Sequence, residues 1–259
     1  KLRETPYQAQ AANFLLEIYE QEKDWLKAIQ VARQTTDAAG QTRTREIAHF
    51  FCELAQSEMM HGRPEQARTY LGEALETNRK CVRAQLLLGD VAQSEGKLEE
   101  AIAAWQRIES QSAAYLPLAA ERLLKAYASL GRADDGLALL RGYLSRYPSL
   151  DLLNSVFQTV LEREGPAAAN ELVRAELRRS PTLLGLDRML EAQMLEASPE
   201  RRRDLELIRS LVHQHTRNLA MYRCDNCGFK ARQFYWHCPA CHGWETYPPR
   251  RSEERELPA

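Results

Sequence analysis

Apolar residues recur at three- and four-residue steps along most of the chain, the spacing that places them on one face of an α-helix. Leu205, Ile208, Leu211 and Val212 are one such run. Strand-like alternation is hard to find before residue 220. Helix ends are marked as well. Gly96 closes one helix, and Pro148 and Pro181 fall where two others must stop. Two further helices are expected between Leu183 and about Leu219. The first runs from Leu184 to Leu195. The second opens at Ser198-Pro199, an N-cap followed by proline at the first helical position. It leads straight into Met221-Tyr222 without a glycine, proline or polar linker, so whatever follows must pack on the last helices. Only 12 of 259 residues are glycine, while alanine, leucine, glutamate and arginine abound, which is the bias of an all-helical protein.

The helical pattern repeats. Trp25-Leu-Lys-Ala28-Ile, Pro64-Glu-Gln-Ala67-Arg and Leu98-Glu-Glu-Ala101-Ile align on their alanines, with Gly136 and Ala169 at the same place in two further units. The steps are 39, 34, 35 and 33 residues, the long one requiring an insertion around Gly40-Gln-Thr-Arg43. Thirteen residues before each small residue stand Leu15, Leu54, Leu88, Leu123 and Val156; nine before stand Tyr19, Glu58, Ala92, Tyr127 and Val160. Over residues 9–182 this resembles tetratricopeptide (TPR) units. Glu58 at an aromatic position and the Gly165-Pro-Ala-Ala-Ala169 turn depart from them. Stacked helix pairs of this kind bury their apolar faces only against neighbours and generate a concave surface. The resemblance places His49, Gln56, Met59, Met60, Arg83, Leu86, Asp90, Gln93, Glu121 and Lys125 on that surface as candidate partner contacts, with Cys52 among them. The lining lacks the lysine-asparagine pattern with which some TPR domains clamp a terminal carboxylate.

Charge adds little: 35 basic against 36 acidic residues leave a net of −1, with no bulk attraction to nucleic acid or anionic membrane. No apolar run approaches the ~18 residues of a membrane span. The chain opens at Lys1, without methionine and close to an apparent helical pattern, so it reads as a fragment, and a missing anchor here says nothing about the whole protein. Cys52 and Cys81 look like single thiols on helices, which favours a reducing compartment. Arg201-Arg202-Arg203 reads as a solvated turn. No hydrolytic constellation and no phosphate-binding glycine loop occurs, so a non-enzymatic role is expected.

The other four cysteines do change the picture. Cys224-Asp-Asn-Cys227 and Cys238-Pro-Ala-Cys241 are two Cys-x-x-Cys turns ten residues apart, able to offer four thiolates to one tetrahedral zinc or iron ion. Gly228 and His242-Gly243 follow the pairs as turn-tolerant residues. A segment of about 30 residues cannot hold itself together by burial alone; an ion worth roughly 10–16 kcal/mol in comparable small sites could. Disulfides or a redox-active pair are the alternative. Phe229, Phe234, Tyr235, Trp236, Trp244 and Tyr247 would cover the metal. A base-stacking platform competes with that reading, but residues 219–249 carry a net charge of only +1. His213, His215, His237 and His242 lie near the site and read as packing groups. The knuckles also resemble those of rubredoxin, which would make the protein an electron carrier, although the ten-residue spacer is short for that.

TPR units fused to Cys224-x-x-Cys227-Gly and Cys238-Pro-x-Cys241 resemble the lipopolysaccharide assembly protein B family (LapB, also called YciM) of Gram-negative bacteria. The resemblance implies an all-α TPR solenoid, a right-handed superhelix of helix-turn-helix repeats, with a small C-terminal rubredoxin-like or zinc-ribbon module packed on the last helices. It implies that Cys224, Cys227, Cys238 and Cys241 hold the ion. It also implies an N-terminal inner-membrane anchor with the repeats on the cytoplasmic face. The implied role is an adaptor that promotes degradation of the lipid A deacetylase LpxC by the AAA+ protease FtsH and answers to an inner-membrane lipopolysaccharide sensor and other lipopolysaccharide assembly proteins. The expected partition is 1–182 for the repeats, 183–218 for additional helices, 219–249 for the metal module and 250–259 for a disordered tail. A homo-oligomer is compatible with all of this.

Overall fold

The computed structural model describes residues 8–36, 42–217 and 219–256. The chain divides into two compact units, Lys1–Ser112 and Ala113–Ala259.

The first unit is a series of antiparallel helix pairs: α1 (Gln8–Gln21) with α2 (Trp25–Ala32), α3 (Thr44–Met60) with α4 (Pro64–Thr77), α5 (Val82–Ser94) with α6 (Leu98–Gln106), and then the short α7 (Ile108–Ser112). The 39-residue step is taken up between α2 and α3. Thr36 and Thr42 pair there as an antiparallel bridge, while the expected insertion at Gly40 and Gln41 lies outside the described residues. The second unit continues with α8 (Leu116–Ser129) and α9 (Ala133–Arg146), α10 (Leu150–Glu164) and α11 (Pro166–Arg179), and α12 (Leu183–Glu196) and α13 (Pro199–Thr216). Its C-terminal part holds β1 (Tyr222–Arg223), β2 (Lys230–Ala231) and α14 (Ser252–Glu256).

The repeat signature has a direct physical meaning here. Ala28, Ala67, Ala101 and Ala169 are fully buried, and a Cβ on Gly136 would lie 2.8 Å from the Cβ of Tyr127. Each small residue marks a helix crossing with no room for more. The positions nine residues upstream accept the closing hydrogen bond of the preceding helix. Asp24 N donates to Tyr19 O, Arg63 N to Glu58 O, Lys97 N to Ala92 O and Arg132 N to Tyr127 O, all at 2.9 Å. This six-to-one bond needs a left-handed residue just before the donor. Gly62, Gly96 and Gly131 supply it, and Lys23 (φ 57°) does so at the first repeat. The backbone role explains why Glu58 is tolerated at an aromatic position. At the fifth repeat Gly165 itself (φ 91°) donates to Val160 O, which lets Pro166 start α11.

Helix ends follow the sequence. α9 stops two residues before Pro148 and α11 two before Pro181. Thr182 accepts from Gly185 N at 3.1 Å, and Ser198 accepts from Arg201 N with Pro199 behind it. Arg209 of α13 bonds Asp187 (2.9 Å) and Glu191 (3.1 Å) of α12, and His213 lies 3.2 Å from Asp187. Among the described residues no helix is long and apolar enough to cross a membrane.

The tail corrects an expectation. Residues 250–259 read as disordered, yet Ser252–Glu256 form α14. Glu253 and Glu254, which look solvent-bound in sequence, reach the open N-termini of distant helices. Glu253 accepts from the backbone N–H of Leu183 and of Leu184 (3.0 Å), and Glu254 from that of Leu150 (3.0 Å). Helix N-termini leave such donors unsatisfied and favour negative charge.

Gly89 gives a sharp test of the α5–α6 packing. An added Cβ would sit 2.1 Å from Trp105 Nε1, the atom that donates to Leu86 O at 3.1 Å. Gly89→Ala is expected to cost about 1–3 kcal/mol by overpacking. Gly72→Ala, in open space on α4, should be stabilising by roughly 0.5–1 kcal/mol. Urea unfolding of the two variants checks the contrast.

Candidate metal centre

The two Cys-x-x-Cys turns fold alike. Cys224 N donates to Phe229 O (2.9 Å) and Gly228 N to Cys224 O (3.0 Å); Cys238 N donates to Gly243 O (3.0 Å) and His242 N to Cys238 O (2.9 Å). The residue after each second cysteine is left-handed, Gly228 at φ 77° and His242 at φ 55°. Amide hydrogens of Asn226 and Cys227 thereby face the Cys224 sulfur, and those of Ala240 and Cys241 face Cys238. The β1–β2 pair closes the first turn, Glu245 N to Trp236 O (2.9 Å) closes the second, and Asp225 N to Thr246 O (2.7 Å) joins the two.

The four sulfurs all lie within 4.8 Å of one another, with Cys224 to Cys241 and Cys227 to Cys238 each at 3.7 Å. A tetrahedral ion with metal–sulfur bonds of about 2.3 Å has sulfur–sulfur edges of about 3.8 Å. A disulfide would need about 2.05 Å. The set therefore has the spacing of four ligands to one metal ion, and no disulfide joins its cysteines. Both zinc and iron accept four thiolates, which leave no open coordination position for a substrate.

Around the site Tyr222, Cys224, Cys238 and Tyr247 form a small core, with Ala231, Phe234 and Tyr235 packed on it. Tyr247 Oη donates to Tyr222 O at 3.2 Å. Of the other expected aromatics, Trp236 stacks on Tyr115 at the entrance to α8 (centroids 5.3 Å apart, interplanar angle 5°), Trp244 stacks on His237 at 4.3 Å, and Phe229 is more than a third exposed. His237 Nε2 meets His242 O at 2.9 Å, so that ring serves packing.

The module is seated on the N-terminal end of α10. Tyr222 Oη donates to Asp151 Oδ2 at 2.6 Å, and Arg251 donates to Asp151 Oδ1 through Nε (2.9 Å) and Nη2 (2.7 Å). The Arg251 guanidinium also lies over the Tyr222 ring, 4.0 Å from its centroid, and its Nη1 donates to Ala220 O at 2.6 Å. With Glu253 on α12, the contacts reach the last two helix pairs. Sequence reasoning passed over Asp151, Arg251, Glu253 and Glu254, because only the fold brings residues 69 to 104 positions apart together.

The expected concave positions divide. Gln56, Met59, Met60 and Asp90 line a groove of about 530 Å³ in the first unit. Glu121 and Lys125 line one of about 410 Å³ in the second. Gln93 is exposed. His49, Arg83 and Leu86 are buried and are not open contact positions. Arg83 is spent on holding α5 to α3, donating to Glu53 at 2.7 Å and to Gln56. Cys52 and Cys81, read as single thiols, are instead buried neighbours with sulfurs 3.9 Å apart.

Residues 222–249 match the family model described as the rubredoxin metal binding domain, and residues 52–117 match a tetratricopeptide repeat model. Among curated proteins, lipopolysaccharide assembly protein B of Escherichia coli strain K12 is 30% identical over 249 residues, which is 96% of this chain and 64% of that protein. The protein of the same name from Haemophilus influenzae is 28% identical over 254 residues, 97% of this chain and 63% of that one. The chain is similar to lipopolysaccharide assembly protein B over nearly its whole length. It spans just under two thirds of the length of these relatives. Among solved structures, pilF of Pseudomonas aeruginosa is 17% identical with a TM-score of 0.43, covering 66% of this chain and 77% of that one.

The thiols are unequal before an ion arrives. At Cys224 burial opposes ionisation, but the Thr246 hydroxyl and the Cys227 and Asn226 amides bring the sulfur down from 9.0 to about 6. At Cys238 burial dominates and pushes the thiol up to about 12. An ion binds thiolates only, so at pH 7 loading must expel the Cys238 proton. Apparent metal affinity should rise with pH across the neutral range and fall more steeply below pH 6, where Cys224 also takes up a proton. Competition with a chromophoric chelator at several pH values measures this. Separately, Asp151→Asn loses its charge-assisted bonds to Arg251 and weakens that to Tyr222. A cost of about 1–3 kcal/mol is expected for such bonds. Chemical unfolding should show it, with metal content retained.

Proposed function

We propose that this protein is a non-enzymatic, membrane-associated adaptor in the control of lipopolysaccharide biosynthesis. In this role it brings the lipid A deacetylase LpxC to the protease FtsH and so promotes its degradation. The observation that carries the proposal is the homology to lipopolysaccharide assembly protein B along 96% of the chain, across both the repeats and the tetrathiolate module. The physical logic is tethering: a scaffold that binds protease and substrate together raises their effective concentration without any chemistry of its own. Four sulfurs closed on one ion suit a structural role, since no ligand position is left for a reaction. An N-terminal anchor beyond Lys1 would hold the scaffold at the cytoplasmic face of the inner membrane, where the lipopolysaccharide sensor and assembly proteins would reach it. The grooves at Met59–Met60 and at Glu121–Lys125 are the surfaces offered to these partners, and nucleic acid is not among them.

Cys238→Ser in the full-length protein should release the ion, unseat Tyr222 and Arg251 from α10, and lengthen the half-life of the deacetylase in cells. Photoreactive residues at Met60 and Lys125 should crosslink to protease or substrate. A metal-free variant that sustains normal deacetylase turnover would sink the coupling of metal to function. Crosslinks to neither protein from either groove would sink the assignment of the surfaces. Visible absorption of the purified protein distinguishes ferric tetrathiolate, which is coloured, from zinc.

A further inference from the structure

Cys52 and Cys81 have no place in the metal centre or the adaptor role, and their surroundings are unlike those of isolated core thiols. Cys52 lies on α3, and Cys81 is the N-cap residue of α5, held extended at φ −69° and ψ 92°. Both are fully buried, and their sulfurs are in contact at 3.9 Å. A ring nitrogen of His49, one turn before Cys52 on α3, lies within 4.8 Å of the Cys81 sulfur. A disulfide requires a separation of about 2.05 Å, so each sulfur need travel only about 1 Å, a displacement within reach of side-chain rotation.

We propose that Cys52 and Cys81 form a peroxide-oxidisable dithiol that closes to a disulfide and staples α3 to the start of α5. His49 takes the proton of Cys81. The resulting thiolate attacks one oxygen of hydrogen peroxide and breaks the O–O bond, and the departing hydroxide recovers the proton from His49 as water. Cys81 is now a sulfenic acid. The Cys52 sulfur attacks it, the S–S bond forms, and hydroxide leaves with the Cys52 proton as a second water. Two thiols and one peroxide become one disulfide and two waters, with the thiols oxidised and the peroxide reduced.

Burial sets the threshold of this device. It disfavours the charged form of Cys52 more than any other influence, and the contact with Cys81 adds to that, so the thiol is held well above its ordinary range. The pair stays reduced until local opening admits an oxidant, which distinguishes it from an exposed catalytic cysteine. Once closed, the bond encircles the whole of α4, with 28 residues between the cysteines. A loop of that length removes substantial freedom from the unfolded chain and raises the unfolding temperature of the oxidised form. Glu53 and Gln56, next to Cys52 on α3, line the Met59–Met60 groove. Stapling therefore stiffens the wall of that groove. The chemistry does not depend on the adaptor reading.

The test uses the full chain, loaded with zinc and treated with increasing hydrogen peroxide, then unfolded and alkylated. Peptide mass spectrometry should find the Cys52 and Cys81 peptides joined and two mass units lighter than their sum. Dithiothreitol should separate them. The thermal transition should rise by several degrees on oxidation, and Cys81→Ser and Cys52→Ala should each abolish the rise. His49→Gln should slow disulfide formation several-fold while leaving the linked product the same. Cys52 and Cys81 recovered separately alkylated after the metal cysteines have already oxidised would overturn the proposal. Recovery of either as an unlinked sulfinic acid would overturn it equally.

Discussion

Four sulfurs within 4.8 Å of one another are tolerable only if something neutralises them. As thiols they would be a poorly packed polar cluster; as thiolates without an ion they would repel. The module around them buries little beyond Tyr222, Cys224, Cys238, Trp244 and Tyr247, too small a core for independent stability. The ion thus supplies what the hydrophobic core cannot, and its influence extends outward along the backbone. Tyr222, two residues before the first ligand, carries the hydroxyl that reaches Asp151 and the ring that Arg251 covers. The seating of the module on α10 is consequently linked to the state of the sulfurs, through a strand only two residues long.

The second constraint is the demand of helix N-termini for acceptors. Ser149 stands at the N-cap of α10 but makes no side-chain cap bond, and its hydroxyl oxygen is buried without a partner among the described residues. The acceptor comes from Glu254, over a hundred residues away. The substitution has a cost: burial, the largest influence, raises the Glu254 carboxyl above its ordinary range, against the pull of the Arg251 and Leu150 amides. A carboxylate kept in such a place ties the end of the chain to α10. Thr182, by contrast, caps α12 locally at Gly185 N, and Glu253 adds acceptors for Leu183 and Leu184.

What could be read from the sequence follows from the range of each interaction. Helix pairs were legible because their crossings require small residues at Ala28, Ala67, Ala101, Gly136 and Ala169, and because prolines stop α9 and α11 within two residues. The ligand set was legible because a Cys-x-x-Cys turn positions both sulfurs by local geometry alone. The role of α14 was hidden, since Glu253 and Glu254 look like any charged tail until the fold brings Leu150 and Leu183 to them. The same holds for His49, Arg83 and Leu86. A repeat frame gives a position its nominal face, but not whether a neighbouring helix has already claimed the side chain.

That last distinction bears on how such a surface can recognise anything. On α3 and α5, Arg83 bridges to Glu53 and Gln56, so the charged groups of this face are largely committed to one another. Met59 and Met60 are not: Met60 is 81% exposed at the end of α3, beside Leu54 and Leu87 in the same groove. An unbranched thioether loses little on repacking and fits irregular apolar partners. Fixed ion pairs hold the helices in register, and the adaptable side chains are left at the rim. Contact at this groove would then select partners by apolar shape more than by charge, in keeping with a chain whose net charge is close to zero.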